Sequence, residues 1–246
     1  MIIAGDIHGQ FESTLTIFED LGFPSPTIAY LFNGDIVDRG NKSLECILMI
    51  LAYKIALFGQ FHVSRGNHES LSCGNGTFYE ECKRRLIDYP DAFNDFHDAF
   101  ESLPYGYVVE GKYFVTHGGI EPDMKIDKIN HLFRTEHSYR NHSSLRAMLW
   151  NDPCEDDVPV NEHLLAPSER GKFCMKFHPI LTKLFLEQHG LELLIRSHEM
   201  VPYGSESSQF GMCLTIFSAP NYVNRGNGGA VVVVTEEKIW VQDMRG

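Results

Sequence analysis

The chain has 246 residues, 43% of them hydrophobic and 22% charged, which suffices for one sizeable α/β core and offers no uninterrupted apolar stretch of membrane-spanning length. A formal net charge of −12 argues against a general nucleic-acid binder. Cys46, Cys73, Cys82, Cys154, Cys174 and Cys213 show no Cys-x-x-Cys spacing, and the amino terminus lacks the basic and apolar regions of a signal peptide. A soluble intracellular protein, cytoplasmic or nuclear, with reduced packing thiols is therefore expected.

In chain order, the apolar run Met1-Ile2-Ile3-Ala4 enters Gly5-Asp6-Ile7-His8-Gly9, with Asp6 and His8 two apart and on one side of an extended segment. Residues 11–21 carry apolar side chains at helical intervals, and Gly22-Phe23-Pro24-Ser25-Pro26 closes that helix. Tyr30-Leu31-Phe32 then leads into Asn33-Gly34-Asp35-Ile36-Val37-Asp38-Arg39-Gly40, two carboxylates and a guanidinium within five residues. A helix over 43–57, with Ser43 as its amino cap, reaches Gln60-Phe61-His62-Val63 and the block Arg65-Gly66-Asn67-His68-Glu69. Strand, helix, strand in succession implies right-handed crossovers and parallel pairing. Two shorter helices, 78–86 and 92–103, flank Pro90, and 105–109 with 113–116 form a hairpin about Glu110-Gly111 that runs into His117-Gly118-Gly119. Residues 123–167 read as the least regular part, and 179–189 as helix. Leu193-Leu194-Ile195 enters Arg196-Ser197-His198-Glu199, and strands at 212–217, 230–234 and 239–241 finish the chain. No repeat, low-complexity tract or linker divides it, so 1–246 is read as one domain.

Each of five strand-like runs thus ends in Asp, Asn or His, usually beside glycine, at helix-sized intervals. A single Asp-rich turn more often caps its own loop. Five such ends are hard to obtain by chance. Asp6, His8, Asp35, Asn67, His117 and His198 form a mixed nitrogen and oxygen donor set suited to divalent or trivalent metals, and six ligands exceed one tetrahedral ion. Two ions sharing a bridging carboxylate fit better. His62, His97, His131, His137, His142, His163, His178 and His189 lie in no motif and are assigned to surface or packing.

The blocks Gly5-Asp6-Ile7-His8-Gly9, Gly34-Asp35-Ile36-Val37-Asp38-Arg39-Gly40 and Gly66-Asn67-His68-Glu69 resemble the signature of the metallophosphoesterases, specifically the phosphoprotein phosphatase family of Ser/Thr phosphatases. Leu149-Trp150-Asn151-Asp152-Pro153, Glu169-Arg170-Gly171 and Ser218-Ala219-Pro220-Asn221-Tyr222 extend the likeness over essentially the whole chain, the first and last of them narrowing it to eukaryotic protein phosphatases, and Tyr30-Leu31-Phe32-Asn33-Gly34-Asp35, Ile195-Arg196-Ser197-His198-Glu199 and Thr215-Ile216-Phe217-Ser218 lean toward the type-5 branch. The resemblance implies a β-sandwich flanked by α-helices, two metal ions (Mn, Fe or Zn), phosphoprotein substrates, and room for regulatory or targeting subunits. The acidic balance does not oppose a phosphorylated substrate, because two metals and two arginines make the site itself positive.

By the same resemblance Asp35 bridges the ions, Asp6 and His8 bind one, and Asn67, His117 and His198 bind the other. A hydroxide held between the metals attacks phosphorus in line. Arg39 and Arg170 offer planar forks to phosphate oxygens, with Asn67 beside them. His68 is the general acid for the departing serine or threonine oxygen, and Asp38 aims its imidazole. Asp38 has a second reading as the cap of its own turn at 37–40. Tyr222 either closes over the site and bonds the phosphate or forms an aromatic wall.

Several departures stand out. The family's helical segment ahead of the first metal strand is not seen before Met1, and no stretch matches a tetratricopeptide array or calmodulin-binding tail. The family's tyrosine after the third block is replaced in Cys73-Gly74-Asn75-Gly76-Thr77-Phe78, which looks one residue short. Arg170-Gly171-Lys172-Phe173-Cys174 keeps the arginine but differs from the family beyond it, and Val223-Asn224-Arg225-Gly226-Asn227 lacks the cysteine often found beside the tyrosine. Two other functions compete. A dinucleoside polyphosphate hydrolase or another metallophosphoesterase would share the metal blocks but not Ser218 to Tyr222, and a dead phosphatase-like binding module would lose ligands that are intact here.

Overall fold

The structure, a computed structural model, describes residues 1–73, 76–157, 164–171 and 174–245; expectations that fall on Gly74, Asn75, His163, Lys172 and Phe173 lie outside them. The elements run β1 (Ile2–Ala4), α1 (Phe11–Leu21), β2 (Tyr30–Asn33), α2 (Ser43–Ala56), β3 (Phe61–Ser64), α3 (Thr77–Arg85), α4 (Ala92–Ser102), β4 (Gly106–Val109) and β5 (Tyr113–Thr116). Three short helices come next, α5 (Ile126–Ile129), α6 (Glu136–Asn141) and α7 (Ser143–Trp150), then β6 (Asp152–Pro153), β7 (Leu165–Pro167) and β8 (Met175–Phe177). The remainder is α8 (Pro179–His189), β9 (Leu193–Arg196), β10 (Ser205–Ser208), β11 (Cys213–Ile216), β12 (Ala230–Val234) and β13 (Ile239–Asp243).

Two five-stranded sheets stack face to face, one in the order β13-β12-β1-β2-β3 and the other β10-β11-β9-β5-β4. The strands alternate as a pleat requires. Ile3, Leu31, Val115, Ile195, Ile216 and Val232 face inward and form the layer between the sheets. Their neighbours Ile2, Ala4, Tyr30, Phe32 and Val231 face outward and pack beside Ile17, Phe18, Ile47 and Ile50 of α1 and α2. On the other sheet Phe114 and Leu194 meet Leu145 and Met148 of α7 and Phe185 of α8. The expected β-sandwich flanked by helices is what the chain forms.

β1, β2 and β3 pair in parallel, as do β5, β9 and β11, so the carboxyl ends of both sheets supply loops to one edge of the sandwich. Two glycines let the backbones close there. A Cβ on Gly34 (φ +81°) would stand 2.4 Å from the Gly66 nitrogen, and one on Gly5 would stand 2.1 Å from the Ile216 carbonyl oxygen.

Local chemistry explains where the helix expectations succeed and fail. α8 has its predicted bounds because Pro179 opens it, the His178 Nδ1 accepts from the Ile180 N–H, and Gly190 leaves it at φ 64°. Ser43 is a correction. It is the first helical residue of α2, and the orphan N–H groups of Ser43 and Leu44 go to the buried carboxylate of Glu81 on α3. The span 123–167 is also more regular than expected, since α7 buries Leu145, Ala147, Met148 and Leu149. His97 packs between Phe93 and Phe100, and His62 lies edge-on to Tyr107, both as packing histidines.

Candidate metal centre and active site

The five strand-ending blocks meet. Asp6 and His8 follow β1, Asp35 and Asp38 follow β2, Asn67 and His68 follow β3, His117 follows β5 and His198 follows β9. All of these but His68 are buried, and His68 keeps 12% of its side chain exposed. The backbone is bent hard to aim them. His8, Asp35, Asp38, Arg39 and His198 have φ between 42° and 71°, a left-handed region that costs about 1–3 kcal/mol for a non-glycine residue.

Ligand-type atoms crowd together. Asp35, His8 and His68 place one donor atom each within 4.8 Å of one another, and so do Asp35, His117 and His198, with Asp35 in both groups. The His8 Nε2 is 3.6 Å from Asp6 and 3.4 Å from Asp35, and the His117 Nε2 is 3.3 Å from Asp35. The Asn67 Oδ1 lies 2.9 Å from the His117 Nε2 and 3.0 Å from the His198 Nδ1. The Nδ1 atoms of His8 and His117 are occupied by the carbonyls of Val37 and Asn33, each at 2.9 Å, which leaves both Nε2 atoms for the centre. That outer hydrogen bond is the usual mark of a metal-ligating histidine.

Protonation points the same way. Burial draws the His8 pKa down to about 4, so its ring is neutral with a free lone pair. Burial and the neighbouring Asp35 push Asp6 up to about 7, and its buried Oδ2 has no hydrogen-bond partner among the described residues. For His117 burial opposes the charge, but Asp35 and Asp6 outweigh it and lift the ring to about 9. Two buried carboxylates set among histidine rings, with one Asp6 oxygen left without a hydrogen-bond partner among the described residues, form a hole for positive charge, and the residues present fit a pair of cations.

Beside this centre, the Nδ1 of His68 is 2.7 Å from the Asp38 Oδ2. The other Asp38 oxygen accepts from the Phe78 N–H at 2.7 Å, so Asp38 caps α3 rather than its own turn. For His68 too burial works against the charge, yet Asp35 and Asp38 prevail and raise its pKa. Tyr222 stacks on the His8 ring at 5.0 Å. Arg39 is exposed and reaches the Tyr222 hydroxyl. Arg170 is 41% exposed and is anchored by its Nε, 2.9 Å from Asp152, whose other oxygen comes within 4.0 Å of His198. Every candidate site residue therefore lies at or against the cluster.

Three supporting residues lie inside the sequence motifs, where residue type alone gives them no role. Glu69, fully buried, accepts from the N–H groups of Asp35 (2.8 Å), Gly66 (2.9 Å), Ile36 (2.8 Å) and Val37 (3.3 Å), tying the second and third blocks together. Asn33 joins the sheets by donating to the Thr116 carbonyl at 2.8 Å and the Ser197 hydroxyl at 2.9 Å. Asp152 is held to about 2: burial opposes its charge, but Arg196, His198 and Arg170 overcome it. Their place inside the sequence blocks was the available signal, and only the fold reveals their partners.

Comparison with known proteins gives three findings. The model of the calcineurin-like phosphoesterases matches residues 1–202. The chain is 39% identical to proteins called Serine/threonine-protein phosphatase T of Trypanosoma brucei brucei, over 95% of this chain and 48% of that protein, and of Schizosaccharomyces pombe, over 96% and 49%. It thus spans about half the length of these curated relatives. A solved protein Ser/Thr phosphatase from Saccharomyces cerevisiae, described as similar to human phosphatase PP5, superposes with a TM-score of 0.87 at 33% identity, covering 100% of this chain and 79% of that one.

Proposed function

The chain belongs to the calcineurin-like phosphoesterases, and among them to the Ser/Thr protein phosphatases, and from that membership we propose that it hydrolyses phosphoserine and phosphothreonine in proteins. One observation carries the reading: a buried six-residue donor set lies against a histidine whose far nitrogen is held by a carboxylate, with two arginines at the rim. Residues 1–246 would act as one catalytic unit on phosphoprotein substrates, with regulatory or targeting subunits as further partners.

Family membership implies a dinuclear centre, whose ions (Mn, Fe or Zn) would sit on Asp6, His8 and Asp35 and on Asp35, Asn67, His117 and His198. Bound there, the pair lowers the pKa of water and offsets phosphoryl charge. The chain's own residues do the rest. Arg39 and Arg170 present planar forks to the phosphoryl oxygens, and each is already steadied, Arg39 near Tyr222 and Arg170 on Asp152. His68 gives its Nε2 proton to the seryl or threonyl oxygen as the P–O bond breaks, while the Asp38 carboxylate keeps the other proton on Nδ1 and the ring in register. Tyr222 covers His8 and keeps that face of the centre from bulk water.

The test is hydrolysis of a phosphoserine peptide and of diadenosine tetraphosphate by purified protein supplied with manganese, with Asp35→Asn as control. Peptide turnover that disappears in the control is the expected result. Turnover of the dinucleotide alone would move the chain to another branch of the phosphoesterases.

A further inference from the structure

Tyr222 sits on a loop whose backbone is strained on both sides of it. Asn221 and Val223 have φ of 46° and 44°, and Val223 is β-branched, a residue type that avoids this left-handed region. Its side chain is 52% exposed, so its own packing contributes little to holding it there. Such strain lasts only where other bonds over-determine it. Residues 223–226 and Gly228 are exposed, yet Asn227 among them is only 7% exposed. Its amide is fully used within the loop. Oδ1 accepts from the Tyr222 N–H at 2.8 Å, and Nδ2 donates to the Ala219 carbonyl at 2.9 Å and the Gly228 carbonyl at 2.8 Å. The Asn227 carbonyl also accepts from the Asn221 N–H at 2.8 Å. This pattern fixes the amide orientation, because a flipped amide would set its N–H groups against the Tyr222 N–H and its oxygen against two carbonyls. The loop has further anchors on either side: the Gln10 Nε2 donates to the Pro220 carbonyl at 3.0 Å and the Gly228 N–H to the Pro202 carbonyl at 2.8 Å. Loss of the Asn227 amide would therefore free 221–227 without detaching the loop.

We propose that Asn227 is a positioning residue for Tyr222: its amide closes the loop from Ala219 to Gly228 and holds the tyrosine ring against His8. Stacking on His8 at 5.0 Å and edge contact with Phe217 at 5.2 Å hold the ring once it is delivered, but neither acts on the strained backbone. In that place the tyrosine hydroxyl meets the Arg39 guanidinium, so the same tie sets one of the two forks offered to the phosphoryl group. The link from Tyr222 to turnover rests on the phosphatase reading; the link from Asn227 to Tyr222 does not.

Fluorine NMR of protein labelled with fluorotyrosine and supplied with diamagnetic Zn2+ tests the second link without any assay of activity. The chain has ten tyrosines, and Tyr222→Phe identifies the signal of interest. Asn227→Leu keeps the approximate shape of asparagine without its polar atoms, which guards against a cavity effect. It should move the Tyr222 signal toward the position of an exposed tyrosine while the signals of the buried Tyr30, Tyr105 and Tyr139 stay in place. In turnover of a phosphoserine peptide, Tyr222→Ala should lose about 10–100-fold in kcat/KM, the effect of one hydrogen bond to a charged group, and Asn227→Leu a similar factor. Because both changes remove one arrangement, the losses should not multiply: adding Asn227→Leu to Tyr222→Ala should cost at most about 2-fold more. The proposal is overturned if the Tyr222 signal stays in place in Asn227→Leu, if the buried signals move with it, if Asn227→Leu turns over like wild type, or if its loss persists undiminished in the Tyr222→Ala background. A wild-type chain inactive on the peptide would instead overturn the phosphatase reading, and the fluorine signal would still decide what places Tyr222.

Discussion

Replacing Glu69 by Gln keeps the side-chain shape and removes one acceptor oxygen. The carboxylate is fully buried and serves four N–H groups, two at each oxygen, at 2.8, 2.9, 2.8 and 3.3 Å. The amide would keep two of these bonds and turn its own N–H groups against the other two donors. Hydrogen bonds to charged groups contribute about 1.5–3 kcal/mol each, so the gross loss is about 3–6 kcal/mol. The net loss is smaller, because burial and the Asp35 charge already raise the Glu69 pKa and so penalise the ion that the amide replaces. A net destabilisation of about 2–4 kcal/mol is expected. With an m value of about 2 kcal/mol/M this lowers the urea midpoint of the chelator-stripped protein by about 1–2 M, read from the fluorescence of its two tryptophans. Because Asp35 and Asn67 sit on the two loops that Glu69 joins, the variant should also bind Mn2+ more weakly. A midpoint within about 0.25 M of wild type at unchanged m, about 0.5 kcal/mol, would refute the assignment of Glu69 as the tie between these loops.

Three further outcomes are expected. His68→Gln should keep its metals yet slow phosphopeptide turnover by about 10²–10⁴-fold, with a smaller loss on p-nitrophenyl phosphate, whose leaving group needs little protonation; equal losses on both would exclude His68 as the acid. Asp38→Asn removes one of the carboxylates that raise the His68 pKa, so the acid form is lost earlier as pH rises and the alkaline limb of the kcat profile moves to lower pH; an unmoved limb would mean that another group sets it. Asp152→Asn leaves the fully buried Arg196, and Arg170 with it, with Glu199 as the remaining carboxylate partner among the described residues; it should cost about 3–5 kcal/mol in thermal or urea unfolding and raise KM for phosphopeptides.

The six donor residues could be read from the chain because metal chemistry restricts ligand types and because each one ends an apolar run, a pattern that survives in one dimension. The parallel pairing of β1, β2 and β3 was legible for the same reason, since helix-sized intervals between strands force crossovers. What escaped were contacts whose partners lie far along the chain. Glu81 takes amino-terminal N–H groups of α2 from as far as 38 positions away, and no local pattern could set it above Ser43, whose residue type favours a cap but which is the first helical residue. The short helix α7 was lost in a polar stretch because its apolar face covers only two turns. The left-handed conformations of His8, Asp35, Asp38 and His198 were equally hidden, since none is glycine.

The hidden features share one role, which is to hold the legible ones. Residue type decides what a side chain can do, and it is written at each position. The orientation that turns six donors into one centre depends on strained backbone, and that strain persists only where surrounding bonds over-determine it. Glu69 supplies such bonds to Asp35, the Phe78 N–H to Asp38, and the Asp6 carboxylate to the His198 N–H at 2.9 Å. These second partners are backbone groups or carboxylates, and of them only Asp6 is itself a candidate ligand. A substitution among them should therefore lower metal affinity and stability together, whereas His68→Gln, which keeps the His68 N–H on Asp35 and alters only a side chain bonded to Asp38, should act chiefly on turnover.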